Sequence, residues 1–184
     1  MKKFASFLTA GALALVIAAP AQAQYPIELG IDGGLVWTSP DVDGMDSTLD
    51  VSLPFQSVRV GFFINDHFSI EPALGFERQD LGDDFTLTQL SLLASGLYHF
   101  SPSRTQPQFY LQLAGGLGYI SFSDDVDSES DSQWSLGFGG GVKLPMMNRL
   151  AARLGVLYLR HFESDFAPDA NQIRGQVGLS FYTR

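Results

Sequence analysis

The sequence predicts an all-β fold: an eight-stranded antiparallel up-and-down transmembrane β-barrel with short periplasmic turns and longer extracellular loops. Three observations predict it. Apolar residues recur at every second position in eight segments, the period of a strand with two unlike faces. The segments run about ten to twelve residues, and a tilted strand needs about 9–11 to cross a bilayer. Short and longer connections alternate, and acidic residues gather in the longer ones, as expected of a membrane barrel with one short-turn rim.

Before the first segment stands MKKFASFLTAGALALVIAAPAQAQ. Lys2 and Lys3 make a basic start, and Leu8 to Ala19 is an apolar run too short to span a bilayer comfortably. Pro20 ends the run, and Ala21-Gln22-Ala23 has the small-x-small form of a cleavage site. The expectation is a cleaved secretory signal over 1–23, with cleavage before Gln24, and a barrel domain over 24–184. Without Lys2 and Lys3, the 11 basic residues become nine against 20 acidic ones, a net charge of −11. No basic patch supports nucleic-acid binding. With no cysteine, disulfides and thiolate metal sites are excluded, so stability must come from burial and backbone pairing.

The segments follow in order. Ile27, Leu29, Ile31, Leu35 and Trp37 alternate with Glu28, Gly30, Asp32, Gly34 and Thr38. Val58, Val60, Phe62 and Ile64 alternate with Ser57, Arg59 and Gly61. Phe68, Ile70, Pro72, Leu74 and Phe76 alternate with Ser69, Glu71, Ala73, Gly75 and Glu77. The fourth segment carries Leu90, Leu92, Ala94, Tyr98 and Phe100, and the fifth Phe109, Leu111, Leu113, Leu117 and Tyr119. The sixth sets Trp134, Leu136, Phe138, Val142 and Leu144 against Ser135, three glycines and Lys143. The seventh sets Leu150, Ala152, Leu154, Val156, Tyr158 and Phe162 against Arg153, Gly155 and His161. The last sets Val177, Leu179 and Phe181 against Arg174, Gln176, Gly178 and Ser180. Leu93, Leu97, Leu157 and Leu159 interrupt the polar set.

Between the segments, 65–67, 101–106 and 145–148 are short, while 39–54, 79–85, 123–133 and 163–171 are mostly longer. Fifteen of the 20 acidic residues fall in the longer four. Aromatic residues cluster at both strand ends: Trp37, Phe76, Tyr119, Trp134 and Phe162 at one, Phe68, Tyr98, Phe100, Phe109 and Phe181 at the other. Such girdles match the two bilayer interfaces. A soluble sandwich or lipocalin-like barrel would turn its apolar face inward. Against it stand the near absence of charge on all eight apolar faces and the small, glycine-rich polar faces, which suit a narrow, crowded lumen.

On these residues the chain resembles the small eight-stranded outer-membrane barrels, the OmpX and OmpA-barrel kind within the outer membrane protein beta-barrel domain family. The resemblance covers Gln24 to Arg184 and rests on architecture. It implies the outer membrane of a Gram-negative bacterium, outer-membrane lipids and lipopolysaccharide as surroundings, and delivery by the barrel assembly machinery. That machinery often reads a terminal aromatic residue. This chain ends Phe181-Tyr182-Thr183-Arg184, so Phe181 takes that role or the strand carries a short tail.

The interior of an eight-stranded barrel is just wide enough to be filled by side chains. Its inward set includes Glu28, Asp32, Arg59, Glu71, Glu77, Lys143, Arg153 and Arg174. Unpaired charges there are costly, so a lumenal network is expected. Asp32 and Arg59 fall near mid-height on neighbouring strands, and Glu28, Glu71, Lys143 and Arg153 nearer the periplasm.

Other chemistry is weaker. In SDDVDSESDSQ, carboxylates from Asp125 to Asp131 alternate as in a calcium loop, but Ser130 and Leu136 stand where glycine and glutamate are needed. GFGGGV at Gly137 lacks the last glycine and the helix of a dinucleotide fingerprint. Outer-membrane lipid A deacylases, also eight-stranded, resemble this chain in a late histidine, but they place serine two residues after it. Here Glu163 follows His161 at that spacing, and Ser164 has the wrong parity. Arg78 and Arg160 have outward parity at the outer rim and suit lipopolysaccharide phosphates, which match arginine's bidentate fork; ion pairs with the loop acids suit them equally.

No catalytic, cofactor or metal site is expected. The reading is an outer-membrane barrel with a structural or surface-interaction role, its lumen plugged and its acidic loops displayed to an unidentified surface ligand. The alternatives are a narrow or gated porin-like channel and a lipid A-modifying hydrolase.

Overall fold

The computed structural model describes residues 25–41, 47–82, 85–123, 128–164 and 168–183, with side chains described outside 50–56, 76–89 and 120–130. The expected signal and its cleavage position lie outside these residues. Eight strands follow one another: β1 (Ile27–Pro40), β2 (Thr48–Phe63), β3 (Phe68–Gly82), β4 (Phe85–His99), β5 (Gln108–Ser123), β6 (Ser128–Met147), β7 (Leu150–His161) and β8 (Ala170–Tyr182). Each pairs antiparallel with the next, and β1 pairs with β8 from Glu28↔Tyr182 to Pro40↔Ala170. The barrel is closed, with every strand paired to a neighbour on both sides, as a membrane requires.

The alternation decides which side faces lipid. Leu113, Trp134 and Phe138 are 72%, 64% and 61% exposed on the outside. Glu28, Arg59, Glu71, Lys143 and Arg153 are buried inside. That polarity is the reverse of a soluble barrel. Aromatic residues band the wall at both heights. Phe68, Tyr98 and Phe100 touch in sequence at the end where β1 begins and β8 ends, with ring centroids 5.1 and 5.3 Å apart. Trp37, Trp134 and Phe162 are exposed at the other. These are the inner and outer ends below.

Two expectations are corrected. All strands but β7, which has 12 residues, are longer than ten to twelve, up to 20 in β6. The outer connections are correspondingly shorter: β3 runs to Gly82 and β4 begins at Phe85, while β5 runs to Ser123 and β6 begins at Ser128. Asp50, Asp80, Glu129 and Asp131 therefore sit in paired strands. The ladder continues because each added pair satisfies backbone groups. The alternation stops earlier because above the membrane both faces of a hairpin meet water.

The second correction concerns the leucines that broke the pattern. Leu97, Leu157 and Leu159 are buried inside the barrel, and Leu93 packs with Leu157, Leu159 and Ala114. The lumen holds an apolar layer as well as charges.

Candidate functional site: the lumen

The centre of the lumen is built around a missing side chain. Gly30 of β1 lies between Arg59 of β2 and Ser180 of β8. A Cβ there would sit 2.3 Å from the Arg59 guanidinium carbon. With glycine in place, the arginine lies across β1. Its NH2 donates to Ser180 Oγ at 2.6 Å and its Nε to Asp32 Oδ2 at 2.7 Å. Its NH1 donates to Glu28. Glu28 and Asp32 are four residues apart on one face of a strand, so a single guanidinium reaches both.

Across the barrel, Lys143 and Arg153 are direct cross-strand partners on β6 and β7. Like charges so placed repel. Glu71 of β3 separates them: Arg153 NH1 donates to its Oε2 at 2.5 Å and Lys143 Nζ to its Oε1 at 3.0 Å. Lys143 Nζ also donates to Glu28 Oε2 at 2.6 Å, and Arg59 NH1 lies 3.6 Å from Glu71. Glu28, Asp32 and Glu71 thus face Arg59, Lys143 and Arg153 in a charge-balanced cluster joining five strands. Its margin is hydrogen-bonded as well. Arg153 Nε donates to Tyr110 OH at 2.9 Å and NH2 to Gln112 Oε1 at 3.2 Å, while Gln112 Nε2 donates to Ser95 Oγ at 2.8 Å.

Six of the eight expected lumenal charges therefore meet in one cluster. Arg174 stands nearer the outer end, where its Nε donates to Gln172 Oε1 at 2.5 Å. Glu77 lies on β3, its side chain outside those described. So does the side chain of Arg78. Arg160, at the outer end of β7, engages Asp169 at 2.5 Å, Asp41 at 3.1 Å and Asn171 at 3.1 Å. Of the two expectations for Arg160, the geometry displays the rim ion pairs.

Sequence reasoning missed the inner mouth. Phe63 stacks on His99 with centroids 5.2 Å apart and lies 6.5 Å from Tyr182. Arg104, from the β4–β5 turn, places its guanidinium 4.6 Å from the Phe63 ring centre and 5.9 Å from that of Tyr182. Phe63, Tyr110 and Tyr182 each lie one residue from an aromatic of the outward set, so they point inward. That adjacency was the available signal.

Two histidine contacts bear on catalysis. His161 faces the lumen, with Nε2 3.3 Å from Gln172 Oε1 and Ser135 as its cross-strand partner. The inner His99 Nε2 lies 2.9 Å from Ser69 Oγ. A serine–histidine pair needs an orienting acid and access, but His99 Nδ1 has no protein partner and both residues are buried.

The profile described as outer membrane protein beta-barrel domain matches residues 9–181. The chain belongs to the outer membrane protein beta-barrel domain family. Neisserial surface protein A shares the fold at a TM-score of 0.67 and 16% identity, covering 84% of this chain and 96% of its own. Ail, the attachment invasion locus protein of Yersinia pestis, gives 0.57 at 17% identity, with 86% and 98% covered. OprG from Pseudomonas aeruginosa gives 0.51 at 15% identity, with 87% and 97% covered. No curated protein sequence matches the chain. As a member of this family, the protein is an integral barrel of the Gram-negative outer membrane.

Proposed function

We propose that this member of the outer membrane protein beta-barrel domain family is a plugged barrel that displays acidic hairpins at the cell surface. The observation that supports the plug is the cluster of Glu28, Asp32 and Glu71 with Arg59, Lys143 and Arg153. It crosses the lumen with every charge paired and buried. An ion crossing it would have to break several desolvated pairs at once, and breaking one such pair is strongly unfavourable.

Acidic display rests on sequence and topology. Asp41, Asp43, Asp46, Asp124, Asp125, Asp127, Glu163, Asp165 and Asp169 lie in outer connections. Ail is seen with the heparin analogue sucrose octasulfate, a polyanion. An acidic rim repels polyanions, so the surface partner of this chain is a cationic one. Cleavage before Gln24, recognition of outward-facing Phe181 by the assembly machinery, and lipopolysaccharide contact through Arg78 and Arg160 complete the reading. The lipid A hydrolase reading is disfavoured by a His161 that faces the lumen and by its Gln172 partner.

A second reading, a narrow gated channel, draws support from two small cavities on the outer side of the cluster. Single-channel recording in a planar bilayer separates the two. The plug predicts no steady conductance from protein that shows heat-dependent gel mobility. Steady conductance from such protein would overturn it.

A further inference from the structure

The lumen is not filled evenly along its length. Both small cavities lie on the outer side of the ion cluster. The lower, lined by Asp32, Arg59, Gln112, Arg153 and Gln176 among others, leaves about 30 Å³ for the centres of water molecules. The upper leaves about 20 Å³ and is lined by Gln133, Ser135 and His161 at the outer end of the lumen. Ser91, Leu93 and Arg174 line both, so the two cavities adjoin between the outer end and the cluster. A water centre needs about 10–15 Å³ and two to four polar partners; each cavity meets the first requirement. The lower meets the second in a specific way. Asp32 and Gln176 both line it, and Asp32 Oδ1 and Gln176 Oε1 are buried acceptors without a protein donor.

Below the cluster the packing changes. Tyr110, His99, Phe63 and Gln108 are buried to 2% exposure or less, and Tyr182 to 7%. The Arg104 guanidinium covers Phe63 and Tyr182 from the β4–β5 turn. The turn is itself held by Gln108 Nε2 donating to Ser101 O at 2.6 Å and by Phe100 N donating to Phe109 O at 3.0 Å.

We propose that the lumen is a blind well: water enters from the outer face as far as Asp32 and Gln176, and the inner mouth is closed by a seal of Phe63, Tyr182 and Arg104. This rests on the plugged reading and adds a direction to it. The ion cluster is then the floor of a hydrated chamber, and the periplasmic closure is the aromatic seal.

The natural absence of cysteine gives a clean test. Ser91→Cys places a thiol in the well and Ser69→Cys places one behind the seal. Each refolded variant is exposed in detergent micelles to silver ions, which then reach both mouths, and modification is read by intact mass. Gel mobility confirms that each variant is folded. Ser91→Cys is expected to react quickly, and Ser69→Cys at least about tenfold more slowly, because its reaction waits on local opening. Adding Arg104→Ala or Phe63→Ala to Ser69→Cys is expected to remove most of that protection. Equal rates for the two single variants would overturn the well, whether both are fast or both slow. So would a Ser69→Cys thiol that stays protected in both double variants. Wild-type conductance is recorded beside these: a conducting barrel sinks the plugged reading, whereas a silent barrel with equal rates sinks the well alone.

Discussion

At the residue scale, the ion cluster is where a single atom has the largest effect. Arg153 is buried and holds Glu71, Tyr110 and Gln112 together. Arg153→Ala leaves Glu71 with Lys143 and the more distant Arg59, so the cluster carries one uncompensated negative charge. Removing one partner of a buried pair costs about 3–5 kcal/mol. The expected outcome is a clearly lower unfolding temperature in detergent, read by the loss of heat-dependent gel mobility. An unchanged temperature would show that the cluster is solvated. Glycines give a second contrast. A Cβ on Gly178 would lie 1.9 Å from Asp32 Oδ1 and 2.4 Å from Ile31 O, whereas one on Gly96 meets nothing within 4 Å. Gly178→Ala should therefore destabilise the barrel and Gly96→Ala should not. Equal melting of the two variants would mean that the β1–β8 seam yields easily. The charged lumenal residues were legible in the sequence because each interrupts an apolar alternation at even spacing. Their partners were only partly legible. Asp32–Arg59 followed from neighbouring strands, and Arg59–Glu28 joins the same two strands, but the links from Glu28 and Glu71 to Lys143 depend on side chains crossing the lumen.

At the scale of the element, strands divide into a membrane part and an aqueous part. Within the membrane the two faces of a strand meet lipid and lumen, and the sequence alternates accordingly. Beyond the girdle both faces meet water, and the pattern is lost although pairing continues, as between Ile120↔Asp131 and Ser123↔Ser128. That is why 123–133 read as a loop yet folds largely as strand. It also separates display from stability. Replacing 121–130 with a two-residue Asn-Gly turn joins paired Ile120 and Asp131 by the connection that hairpins favour. The shortened protein is expected to keep heat-dependent mobility and unfold within a few degrees of the parent. Loss of folding would assign the hairpin tip a structural role.

At the scale of the whole molecule, an apolar band faces outward and a charge-balanced interior closes the barrel. The sequence by itself determined the strand number, the antiparallel order, the membrane-facing side and most of the lumenal charges. Alternation, girdles and loop acidity are local consequences of two different solvents, and local consequences are written along the chain. The tertiary structure decided what lies opposite what. It set the crossing of Arg59 over Gly30 and the wedge of Glu71 between Lys143 and Arg153. It turned the leucines inward as a layer, and it brought Arg104 from a turn onto Phe63 and Tyr182. Most of those contacts join residues from elements that are not consecutive in the chain. Their partners are fixed only when β1 pairs with β8 and the closed curve of the barrel sets how far each side chain must reach.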